Sequence, residues 1–168
     1  MRQVRIYLGV FLVLFLMAAC GKEELSSQEK AFATLVPVPM DTGLRLKLVD
    51  VRDASSAAPT IDLLIENHSN DQVWFLAPGY GARIFIYSEL DGEWVEVDDR
   101  IVSASESEDI LVPKGEGINW GAIASVGPSI PDTNETMTVR VVVTGEIYRD
   151  GRRTGEEVGA YIDVTLQP

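Results

Sequence analysis

Two hydrophobic patterns divide the chain. Ile6 to Ala19 is an almost unbroken apolar run of 14 residues, preceded by Arg2 and Arg5 and followed by polar Gly21-Lys22-Glu23-Glu24. From Leu44 onward the apolar positions recur every second residue instead. Leu44, Leu46 and Leu48 alternate with Arg45 and Lys47, and Ile61, Leu63 and Ile65 with Asp62 and Glu66. Met137, Val139, Val141 and Val143 alternate with Thr138, Arg140 and Thr144, and Ile162, Val164 and Leu166 with Tyr161, Asp163 and Thr165. Alternation of this kind predicts strands with one buried face. Shorter strands are predicted over 73–76, 83–88, 93–97, 110–112 and 117–123, and nothing after Met40 has the period of a long amphipathic helix.

Turn chemistry separates the strands. Asp91-Gly92 supplies the positive φ angles of a tight hairpin and is expected to join two short strands directly, whereas the turn opening at Asp150-Gly151 is expected to be longer and to carry Arg152-Arg153. Many short strands at about ten-residue spacing, with no helices between them, predict an all-β fold, an antiparallel Ig-like β-sandwich of about eight strands. A closed barrel is the alternative. Trp74, on the predicted third strand, is expected at the position where Ig-like sandwiches bury an aromatic residue.

The region between the two patterns resists both periods. It runs from a polar stretch at 21–30 into Val36-Pro37-Val38-Pro39, which reads as a flexible tether with an end-to-end distance of about 25 Å. A short helix over Ser27 to Leu35 fits the residues, but none of them is read as its cap. The divisions are therefore 1–19 leader, 20–40 tether and 41–168 sandwich domain.

The leader has a basic start, a short apolar run and small residues before a cleavage point, the pattern of a secretory signal peptide. A transmembrane anchor needs about 20 apolar residues, and the polar stretch after Cys20 ends the run early. Met17-Ala18-Ala19-Cys20 resembles the lipobox of bacterial lipoproteins, with Met17 where that family usually has Leu. The resemblance implies cleavage before Cys20, diacylglycerol on its thiol, an acylated amine and attachment to a membrane. It also implies a place in the bacterial cell envelope. Gly21 is not the Asp of an inner-membrane retention signal, so the outer membrane is expected if the organism has one.

Composition sharpens this picture. The 168 residues suit one domain, and the 46% apolar share falls to about 41% without the first 20 residues, of which 16 are apolar. Removal of 1–19 takes away Arg2 and Arg5 and leaves 12 Lys+Arg against 26 Asp+Glu, so −12 becomes −14. That balance argues against nucleic acid, which needs clustered Lys and Arg. One cysteine and one histidine exclude an internal disulfide and a conventional zinc set, and no cofactor motif is present.

Candidate chemistry is sparse. His68, in the turn Asn67-His68-Ser69-Asn70-Asp71, reads as a solvated turn residue rather than a base. Asp98, Asp99, Glu106, Glu108 and Asp109 are calcium candidates because loop carboxylates supply the six to eight oxygens that calcium takes. They match no EF-hand spacing, and solvated charge guarding strand edges accounts for them equally. Val73-Trp74-Phe75-Leu76 and Ile84-Phe85-Ile86-Tyr87 are apolar on both faces. Their outer faces must be covered by the tether or termini, or else offer an envelope protein a docking patch.

A second resemblance spans roughly Leu44 to Ile123. A strand ending in Asn67, the hairpin Gly92-Glu93-Trp94 and the turn Pro113-Lys114-Gly115-Glu116 resemble secreted bacterial Ig-like domains, including the family named for an intracellular proteinase inhibitor of Bacillus. The expected role is therefore a non-catalytic binding or structural module on the envelope. The alternatives are a proteinase-inhibitor-like domain, a carboxylate-dependent enzyme or a calcium-binding module. The sequence sets no oligomeric state.

Overall fold

In the computed structural model, residues 26–53, 59–77, 79, 81–88, 91–97, 108–123 and 136–166 are described. The longest ladder joins β8 (Met137–Arg149) to β9 (Arg152–Leu166), both rich in β-branched residues. Asp150 (φ 53°) and Gly151 (φ 76°) connect Arg149 to Arg152 as a two-residue turn. Two consecutive left-handed residues match the twist of the strands they join, so the turn is tighter than the sequence predicts and Arg152 and Arg153 belong to β9.

The other edge of β8 serves two strands end to end. β4 (Arg83–Ser88) pairs along Val139 to Val142, and β3 (Gln72–Phe75) along Glu146 to Tyr148. Gly145 lies in this crowded stretch, where an added Cβ would stand 2.6 Å from Val73 Cγ1 and 2.9 Å from Phe75 Cε1. β5 (Glu93–Glu96) extends the sheet beyond β4, and β6 (Ile110–Val112) beyond β3. The β4–β5 connection spans four residues between the paired Ser88 and Glu93, not the direct Asp91-Gly92 link expected.

A second sheet holds β1 (Leu44–Arg52), β2 (Thr60–Asn67) and β7 (Gly117–Ile123) in that order. All pairings between these strands are antiparallel. The described residues thus form an all-β sandwich of three and six strands, nine in place of about eight. Ile61, Leu63 and Ile65 face Val139, Val141 and Val143 in a shared core, as the alternation predicts.

Two apolar residues sit differently from expectation. β1 is an edge strand with a bulge between Leu48 and Asp50: Leu48, opposite Leu63, is exposed, and beyond the bulge Val51 rather than Asp50 packs against the core. The buried tryptophan is Trp120 on β7, opposite Leu63, whereas Trp74 points outward between the inward Val73 and Phe75.

The largest departure is the expected tether. Residues 26–41 belong to the fold, and 20–25 lie outside the described residues. Ser27–Leu35 is a helix, α1, capped by Ser26, whose Oγ accepts from the Glu29 N–H at 3.2 Å. It buries Phe32, and Val36 just beyond it, against the outer face of the six-stranded sheet. The chain then runs along β9, where Asp41 N donates to Gly159 O (2.8 Å) and Gly159 N to Pro39 O (3.0 Å). The prolines that suggest a free linker instead hold an extended strap against a sheet edge.

Candidate functional site

Among the described residues, a dense cluster of polar and aromatic side chains lies under α1. β8 alternates, so Val139 and Val141 enter the core while Arg140 and Val142 face outward. α1 covers that outward face, and the Arg140 side chain is only 3% exposed. Its guanidinium carbon lies 4.5 Å from the ring centre of Phe32, 4.2 Å from Trp94 and 4.0 Å from Tyr161. Nε and Nη2 donate to both oxygens of Asp163, the cross-strand partner, at 2.7 and 2.8 Å. Nη1 and Nη2 donate to the two oxygens of Glu29 on α1 at 3.3 and 3.1 Å.

The electrostatics follow from that geometry. Burial disfavours the Arg140 cation, but hydrogen bonds to Asp163 and Glu29 outweigh it and hold the group above the ordinary arginine range. Burial, and then the Glu29 charge, push the Tyr161 phenol up as well. A permanently charged, fully engaged guanidinium offers no base and no nucleophile. What it does is bind α1 to the sheet through two carboxylates and three aromatic faces.

Further contacts grip both ends of the helix. Gln28 Nε2 donates to the Tyr87 hydroxyl near the N-terminus, and Arg83 Nη1 donates to Leu35 O at 3.1 Å at the other end. Arg83 also pairs with Glu96 at 2.6 and 2.7 Å, which puts a cation at the negative pole of the helix dipole. Phe32 meets the Phe85 ring edge-on at 5.2 Å. The apolar outer face around Phe85 is therefore covered by residues the sequence assigns to the tether.

Among the described residues, no helix covers the other half of the same outer face. Arg153 lies 4.0 Å from the ring centre of Trp74 and donates to Glu146 Oε2 at 2.6 Å, with its side chain 54% exposed. Leu76 is exposed nearby on the same outward row of residues. Arg149 pairs with Asp71.

The remaining candidates are structural or lie elsewhere. His68 is exposed and meets Glu66 Oε2 at 3.1 Å. Its neighbour Asn67 is buried with all its polar atoms used. Nδ2 donates to Asp71 O and Val112 O, and Oδ1 accepts from Ser69 N and Ser69 Oγ. Of the calcium candidates, Asp109 accepts from the Ala77 N–H at 2.9 Å and Glu108 is exposed. Asp98, Asp99 and Glu106 lie outside the described residues, as does Cys20. Among the described residues no three His, Cys, Asp or Glu side chains form a metal-sized group, and no helix is long and apolar enough to cross a membrane.

Glu29, Phe32, Arg140, Tyr161 and Asp163 escape the sequence reading. The signal for them is local: Ser26-x-x-Glu29 is the start of a capping box, and Phe32 and Val36 have the i, i+4 spacing of one helix face. The chain matches no protein-family model and no curated protein.

Proposed function

We propose that the chain is a lipid-anchored protein of the bacterial envelope whose sandwich is a non-catalytic binding or supporting module. The observation that carries this is Met17-Ala18-Ala19-Cys20 directly behind a basic start and a 14-residue apolar run. Several acyl chains, each worth about 0.8 kcal/mol per buried methylene, give stable attachment where one does not. In a Gram-negative organism Gly21 after the cysteine favours the outer membrane. The half of the six-stranded sheet that carries exposed Leu76 and Arg153 beside Trp74 is the surface best suited to a protein partner.

The test is direct. Cys20→Ser should abolish acyl labelling and move the protein to the soluble fraction, whereas continued membrane attachment would favour an uncleaved signal anchor. A proteinase-inhibitor role is the second reading, favoured by the long β8–β9 hairpin with Arg152 at its tip. It requires inhibition of a trypsin-like protease that is lost once the hairpin is cut.

A further inference from the structure

We infer that docked α1 fixes how the domain stands on the bilayer, with the β4–β5 turn beside the lipid surface and the β8–β9 hairpin directed away from it. This rests on the lipid-anchor reading and goes beyond it by naming which surface meets the membrane.

The direction of the helix comes from its end contacts. Gln28 meets Tyr87 near the end of β4, and the Leu35 carbonyl meets Arg83 at its start. α1 therefore runs antiparallel to β4. Arg83 pairs with Val142 and Ile86 with Val139, so the N-terminus of α1 lies where β8 begins and β9 ends. Glu29, on the helix's first turn, meets Arg140 and Asp163 comes to the same guanidinium, which places that turn at the same level. The chain toward Cys20 departs from this end of the sandwich.

Covalent length sets the reach. Six Cα–Cα steps separate Cys20 from Ser26, at most about 22 Å when fully extended. Along β8, the eleven steps from Val139 to Asp150 cover about 36 Å. The hairpin tip is thus farther from the point of departure than the leash is long. The −14 charge of the chain from Cys20 onward opposes a flat posture on anionic lipid. Undocking α1 would abolish the constraint, because the 24 steps from Cys20 to Leu44 reach about 80 Å.

The experiment uses the full acylated chain in vesicles of phosphatidylethanolamine and phosphatidylglycerol carrying nitroxide-labelled headgroups. Glu93→Cys and Arg152→Cys, both at exposed positions, each receive one fluorophore, the Cys20 thiol being blocked by its acyl group. The expected result is strong quenching at position 93 and near-complete loss of quenching at 152. The contrast should shrink in Phe32→Ala and in the milder Glu29→Gln, which release α1 without touching either labelled position. Equal or reversed quenching in the acylated parent would overturn the stance while leaving the anchor intact. An undiminished contrast in both variants, with α1 amides exchanging freely, would overturn the role of the helix. Absence of acyl label and failure to float with vesicles would overturn the anchor reading and the stance with it.

Discussion

The outer face of the six-stranded sheet uses one chemical device twice, with different results. In one half Arg140 stacks on aromatic rings and pairs with Asp163 and Glu29, and in the other Arg153 stacks on Trp74 and pairs with Glu146. The first guanidinium is 3% exposed beneath α1 and the second 54% exposed to water. Burial decides the energetics. A desolvated cation depends on every partner it has, whereas water replaces most of what an exposed pair loses. The comparison also divides the two halves: the first holds the N-terminal segment, and the second leaves Arg153 and Leu76 exposed.

The largest effect should come from Arg140→Ala. It strands Asp163 and Glu29 and empties the centre of an aromatic cage, so urea denaturation should show a loss of about 3 kcal/mol. Arg140→Lys should recover only part of this, because an ammonium cannot bridge two carboxylates and three ring faces. A loss no larger than that of an exposed pair would erase the distinction between the halves.

Phe32→Ala should rank next. Its ring contributes about 2 kcal/mol by burial, and a nine-residue helix is marginal alone, so α1 should undock while the sheet persists. A titration of the phenols adds a second readout. Burial, then Glu29, holds the Tyr161 phenol above its ordinary 10.0, so its contribution is present below pH 10 and lost as pH rises through the folded value. In Phe32→Ala the ultraviolet titration of Tyr161 should move back toward 10.0.

Arg153→Ala should have the smallest effect, below about 1 kcal/mol and weakened further by salt. The hydrogen bond from Arg153, followed by that from the Gly155 N–H, holds Glu146 below its ordinary 4.5. That support is present above pH 4.5 and fades as pH falls below it, so the variant should lose part of the parent's acid sensitivity. A cost approaching that of Arg140→Ala would show that exposure does not separate the two sites.

These contrasts explain what can be read from the sequence. Alternation at Ile61, Leu63 and Ile65, or at Met137 to Val143, states which residues share a face, and the core follows from it. It does not state what covers the opposite face. Arg140 alternates like any solvated strand residue, and α1 together with Trp94 and Tyr161 makes it a buried one. The helix is hard to see because its apolar contact is confined to Phe32 and, just beyond it, Val36, far fewer residues than a sustained period requires. The bulge after Leu48 leaves no mark in the hydrophobic pattern either: one extra residue reverses the faces beyond it, so Val51 and not Asp50 turns to the core.

Residues 26–41 are part of the domain and not a spacer. Amide hydrogen exchange of the full chain tests this most directly. The Lys30 and Val36 amides, which donate to Ser26 O and Phe32 O, should be protected in the parent and should lose that protection in Arg140→Ala while β8 amides stay slow. Rapid exchange across 30–36 in the parent, with β8 fully protected, would contradict the account and return the segment to a free tether.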